Sequence, residues 1–174
     1  RMIRKHERIL SEGELYKFKT RPIDPADPFQ GRYVQLRYHS NVIKCDPAEI
    51  AGLERKDPVY ALIGEDEQGF AELCGWSREK PTGGHYFKTR YRYTDTTWHK
   101  ESKTRTTNGI RVDISFDRFY MDEAKAPLAE RLARNSAQNS NCWANVRIHN
   151  GNALIEDVYA EGISLRELAT KKDE

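Results

Sequence analysis

The sequence predicts an α+β, mostly β domain: an antiparallel, barrel-like or strongly bent sheet with one main helix at about 122–135 and short helices elsewhere. Three observations lead there. Apolar and polar residues alternate at period two through several separate stretches, the pattern of half-buried strands. Turn-forming residues punctuate those stretches at 64–69, at 81–84 and at Asn150 with Gly151. Sustained helical spacing of apolar residues is confined to 121–135.

The elements follow in order. Tyr16, Phe18 and Thr20 alternate with Lys17, Lys19 and Arg21 in a first strand. Pro22, Pro25 and Pro28 then fix φ and forbid helix, so 22–28 reads as a rigid, extended crossing. Its Asp24 and Asp27 can turn their carboxylates onto nearby backbone N–H groups. After Phe29, Gly31 opens a strand with Tyr33, Gln35 and Arg37 on one side and Val34, Leu36 and Tyr38 on the core side. This strand can pair with the first.

Residues 47–55, with Ile50 and Leu53 at helical spacing and Asp46 available as an N-cap, read as a short helix or turn. The runs 59–63 and 70–76 form a hairpin around the polar turn 64–69. A strand at 86–92 puts Lys88, Arg90 and Arg92 on one side and Phe87, Tyr91 and, just beyond, Tyr93 on the other. Residues 100–108 are polar and read as an exposed, mobile loop. Ile110, Val112, Ile114 and Phe116 then alternate with Arg111, Asp113, Ser115 and Asp117. The main helix has Asp122 as N-cap, Ala124, Leu128 and Leu132 at four-residue spacing, and Pro127 disturbing its opening turn. A hairpin joins 142–149 to 153–160 through a type I′ turn at Asn150 and Gly151. Ser164 caps a short helix at 165–169, and 171–174 frays.

With 174 residues, one domain at 13–170 suffices, preceded by a basic segment at 1–12 that holds Arg1, Arg4, Lys5, His6 and Arg8. Charged residues are 32%, apolar ones 37% and the net charge is +2, so bulk composition indicates neither disorder nor wholesale nucleic-acid affinity. No apolar run approaches the ~20 residues that a membrane helix needs. Cys45, Cys74 and Cys142 are odd in number and lack zinc or redox spacing, so at most one disulfide forms. Cys74 and Cys142 lie inside strand patterns and read as small buried hydrophobes.

Charge is concentrated locally. Residues 86–111 hold seven cations against Asp95 and Glu101. Cations interleaved with aromatic rings suit a single-stranded nucleic acid or another anion, with Lys88, Arg90 and Arg92 as the binding residues. Strand periodicity offers the plainer account of a solvated basic face over a buried aromatic one, which makes nucleic acid an unlikely partner. Catalytic motifs are scarce: there is no nucleophile elbow, phosphate loop or zinc helix. Of five scattered histidines, His39 could meet Asp24 in space as a hydrolase-type dyad. The sequence assigns no cofactor and no metal.

Residues 22–38 resemble the signature of the GDYXXLXY family of bacterial proteins. The motif here reads Gly31, Arg32, Tyr33, Val34, Gln35, Leu36, Arg37, Tyr38, so Gly31, Tyr33, Leu36 and Tyr38 agree. Arg32 stands where the family name has Asp, and a guanidinium cannot replace an acid or a metal ligand. The order of later segments, through Phe119 and Tyr120 to an Ala- and Glu-rich helix and a hairpin, extends the resemblance over most of the chain. It implies an uncharacterised envelope domain on the periplasmic side of the inner membrane, held by an N-terminal transmembrane helix missing ahead of Arg1. It further implies a non-catalytic accessory or interaction module acting with a multi-pass membrane protein. The basic cluster at 1–8 pulls the other way, since such residues tend to stay cytoplasmic. The expected contact surface is Asp24, Asp27, Phe29, Arg32, Tyr33 and Arg37, because a preorganised loop loses little entropy on binding.

Overall fold

Two five-stranded antiparallel sheets share a single core in the computed structural model, which describes residues 2–21, 33–39, 41–120 and 141–170. Helix α1 (Met2–Glu12) leads into β1 (Glu14–Arg21), β2 (Tyr33–Gln35), β3 (Arg37–Tyr38) and β4 (Val42–Ile43). Then come β5 (Pro58–Glu65), β6 (Ala71–Ser77), β7 (Tyr86–His99), β8 (Thr104–Val112) and β9 (Arg118–Tyr120). The chain continues through β10 (Cys142–His149), β11 (Asn152–Ala160), β12 (Ile163–Ser164) and α2 (Leu165–Thr170). One sheet runs β12-β11-β10-β1-β3, the other β4-β8-β7-β5-β6, and β2 with β9 forms a separate ribbon. The mostly β, α+β class is therefore as the sequence predicts; the sheets bend, but among the described residues they do not close into a barrel.

Alternation builds the core. Tyr16, Phe18, Ala144, Val146 and Val158 project inward from the first sheet. Val59, Ala61, Phe87, Ile110 and Val112 meet them from the second. Phe116 lies at the centre, with ring centroids of Phe18, Tyr38 and Phe87 at 5.3, 5.2 and 5.2 Å. Each fully buried side chain of this size contributes about 1.5–3 kcal/mol of transfer free energy. The sheets also touch at a corner, where the Lys88 N–H donates to the Gly151 carbonyl at 2.8 Å.

Several local expectations hold. Asn150 and Gly151 have φ of 49° and 75°, the positive pair that a type I′ turn requires. The Glu167 N–H donates to Ser164 Oγ at 3.0 Å, so Ser164 caps α2. The β5–β6 turn is held by Asp66, whose carboxylate accepts the N–H groups of Phe70 at 2.8 Å and Gln68 at 2.9 Å. Residues 47–52 are successive turns rather than a helix, with the Glu49 N–H donating to the Asp46 carbonyl at 3.1 Å. The basic segment is helical and packs on β10 and β11 through buried Ile9.

Three expectations need correction. The loop placed at 100–108 is mostly strand: β7 and β8 continue as a long hairpin, and only 100–103 turn. These residues are exposed on both faces, so no apolar alternation announces them. Cys74 is exposed rather than core, because a bulge in β6 leaves it opposite no residue of β5. Tyr93 is 51% exposed, because the register shift between Tyr91 and Tyr93 turns it to the opposite face from Tyr91. The proline crossing at 22–28, the main helix at 122–135 and the tail at 171–174 lie outside the described residues.

Candidate interaction surface

The motif strand divides its duties at Leu36. Ahead of it, β2 pairs antiparallel with β9, matching Tyr33 with Tyr120, Val34 with Phe119 and Gln35 with Arg118. Beyond it, β3 pairs with β1, matching Tyr38 with Thr20. Leu36 itself is 2% exposed, and its N–H donates to the Asp117 carbonyl at 2.7 Å. The chain thus passes from the ribbon to the first sheet within one residue.

The two ends of the motif face different surroundings. Tyr38 is buried, and its hydroxyl donates to the Phe116 carbonyl at 2.6 Å. Burial first, then the nearby charges of Asp117 and Cys142, push its phenol well above the usual tyrosine range. Tyr33 instead sits half-buried at the surface beside Tyr120, with ring centroids 5.7 Å apart and planes tilted by 56°. The Arg118 guanidinium lies 5.0 Å from the Tyr33 centroid. A hydrogen bond with Tyr120, followed by the proximity of Tyr33 and Asp117, raises the Arg118 pKa further. Tyr120 is 66% exposed, whereas Phe119 between these two side chains is buried. The ribbon therefore turns one face into the core and presents two phenol rings and a guanidinium on the other.

A cavity of about 510 Å³ opens beside this ribbon, between α1, the 115–118 segment and β11. His6, Asp117, Arg118, Tyr120, Leu154 and Ile155 contribute to its walls. Arg118 and Tyr120 belong both to the cavity and to the aromatic surface. A ligand held in one would touch the other.

No curated protein and no solved structure matches this chain. The sequence model of the GDYXXLXY protein family does, over residues 1–158. The chain belongs to the GDYXXLXY family. In this member the motif residues Leu36 and Tyr38 are buried in the core, and among the described named motif positions Tyr33 is the half-exposed one.

Of the other residues singled out in this GDYXXLXY chain, Arg37 is exposed on β3. Asp24, Asp27, Phe29, Gly31 and Arg32 lie outside the described residues. His39 is exposed, and its N–H donates to the Lys19 carbonyl at 3.0 Å. Lys88 and Arg90 are exposed on β7, but Arg92 is paired with Asp113 at 3.0 Å and Arg111 with Asp95 at 2.8 Å. Two of the seven cations of this region are thus matched by carboxylates in place.

Arg118 and Tyr120 were invisible as partners of Tyr33, since only the pairing of β2 with β9 brings them together. The same holds for a polar cluster at the start of β1. There Glu14 Oε2 accepts from the Tyr16 hydroxyl at 2.6 Å and lies 2.7 Å from His85 Nδ1. Those hydrogen bonds, that from Tyr16 foremost, hold the Glu14 carboxyl below its usual value. Burial foremost raises the Tyr16 phenol. Glu14 and His85 are both well exposed, so the cluster lacks the enclosure that would exclude water from a reaction. Among the described residues no group of three or more His, Cys, Asp or Glu side chains is placed to hold a metal ion.

Proposed function

We propose that this protein is an envelope domain that docks on a multi-pass membrane protein through Tyr33, Arg118 and Tyr120, without performing a reaction of its own. The supporting observation is the surface set of exposed Arg118 and Tyr120 with half-buried Tyr33, on a ribbon whose Phe119 is buried on the other side. Tyrosine and arginine are the side chains most enriched at energetic centres of protein interfaces. Here they are already held against one another, so little rotamer freedom remains to be lost on binding. Residence on the periplasmic side of the inner membrane belongs to the same reading. No described helix is long and apolar enough to cross a membrane, so within this reading attachment comes from outside the described residues.

The test is a photo-crosslinking amino acid placed at position 33 or 120 in the membrane-derived full-length protein. Adducts identified by mass spectrometry should be dominated by one multi-pass membrane protein. The same probe at exposed Glu72 on β6 should give no such adduct. An adduct pattern equal at 33 and 72, or none at 33, overturns the reading.

A further inference from the structure

The far end of the β7–β8 hairpin is built differently from the sheet it leaves. Pairing of β5 with β7 spans Arg90 to Tyr86, and β4 pairs with β8 only at Arg111 and Ile110. Beyond Asp95 the two strands pair with each other, from Thr96 opposite Thr107 to His99 opposite Thr104. The result is a two-stranded ribbon standing off the body with both faces largely in solvent.

The two faces of that ribbon are unlike. On one, His99 Nε2 lies 2.9 Å from Thr106 Oγ1, and the Asn108 amide donates to Thr97 at 2.9 Å and to Asp95 at 3.0 Å. These side chains satisfy one another. On the other, Trp98 stands opposite Arg105, 53% exposed, with the guanidinium 5.9 Å from its ring centroid. The turn adds Lys100 and Lys103 with Glu101 between them. Cations nearer the body, Arg92 and Arg111, are already paired with Asp113 and Asp95. Positive charge and exposed indole therefore coincide at the outer end.

We propose that this end is a contact site for an anionic lipid bilayer, with Trp98 at headgroup depth and Lys100, Lys103 and Arg105 against lipid phosphates. Trp is the side chain that favours the membrane–water interface, and clustered cations are attracted to anionic leaflets. The shape decides against a single-stranded nucleic acid. Such a ligand needs a groove in which successive bases stack on several rings, whereas this is a projecting ribbon with one indole at its end. A projecting end meets a plane without steric conflict. The inference uses residues apart from the Tyr33 surface and stands or falls without it.

The experiment is co-sedimentation of the full chain with vesicles of phosphatidylglycerol and phosphatidylcholine in equal parts, against phosphatidylcholine alone, at low salt. Binding should require the anionic lipid, weaken as salt rises, and shift tryptophan emission to the blue. Trp98→Phe should remove the shift while Trp76 and Trp143 remain. Each of Lys100→Ser and Lys103→Ser should weaken binding about fivefold, and the double charge reversal should abolish it. Lys88→Ser with Arg90→Ser, on the sheet body, should leave it unchanged. Equal binding to both vesicle types overturns the proposal. So does loss through Lys88 and Arg90 instead of the tip, or tip-dependent binding of an oligonucleotide without vesicle binding. Melting curves of the tip variants should match the parent, since those side chains carry no core contact.

Discussion

The guanidinium of Arg118 lies over the ring of Tyr33, 5.0 Å from its centroid, although the chain crosses both sheets between the two residues. The contact is at the surface, so it bears more on orientation than on stability. Arg118→Ala should shift the urea midpoint only slightly, as expected of a solvent-exposed cation–π pair. The cross-link yield from position 33 should fall severalfold. A large stability loss with unchanged cross-linking would reverse those roles.

Tyr38 should behave in the opposite manner. Tyr38→Phe removes the hydroxyl that donates to the Phe116 carbonyl and should cost about 1 kcal/mol. Tyr38→Ala also opens a void among Phe18 and Phe116 and should cost about 3–5 kcal/mol. Urea midpoints of the two variants, beside a nearly unaffected Tyr33→Ala, would separate the buried half of the motif from the exposed half.

Gly109 sits where the β7–β8 ribbon leaves the body, at φ of 152°. A Cβ built there would stand 2.0 Å from the Ile43 carbonyl oxygen, inside any tolerated contact. Gly109→Ala should therefore force β4 off β8 and destabilise the protein by several kcal/mol, well beyond a typical surface substitution. Loss of hydrogen-exchange protection should centre on Val42 and Ile43.

The pH dependence of stability has a defined sign. Glu14 and Asp95 have carboxyl pKa values below their reference values of 4.5 and 3.8, through hydrogen bonds led by Tyr16 and by Arg111 respectively. A group depressed on folding contributes stability that is complete above the unfolded value and is lost as pH falls through the folded one. Urea midpoints should be flat with respect to these groups above about pH 5.5 and decline below about pH 4.5. Glu14→Gln should lower the neutral-pH midpoint and flatten part of that decline.

Cys74 is a free thiol on the surface of β6, while Cys142 is buried. In a variant lacking Cys45, a membrane-impermeant maleimide should label Cys74 in intact spheroplasts without permeabilisation. Labelling only after lysis would remove the periplasmic placement.

Legibility followed burial. The β10–β11 hairpin was readable because one strict alternation meets one turn dipeptide, and Ser164 because its cap is local. The Phe116 neighbourhood was half readable: the inward residues of 110–116 alternate, but β8 ends at Val112 and the remaining residues only keep the rhythm. The outer hairpin hid because neighbouring threonines such as Thr96 and Thr97, on opposite faces, are both exposed to water, leaving backbone pairing without an apolar signature. Cys74 and Tyr93 were misplaced by bulges, which reset which face a side chain takes without changing the sequence period. In the candidate site Tyr33 was readable from its strand, whereas Arg118 and Tyr120 depend on a pairing between distant segments that no local pattern encodes.

Leu36 gives the motif a mechanical meaning. Because its N–H is bound to the Asp117 carbonyl and its side chain is buried, this one residue between β2 and β3 is a fixed pivot for the strand on either side of it. A partner docked on Tyr33 as proposed would pull against that clamped pivot, not against a slack tether.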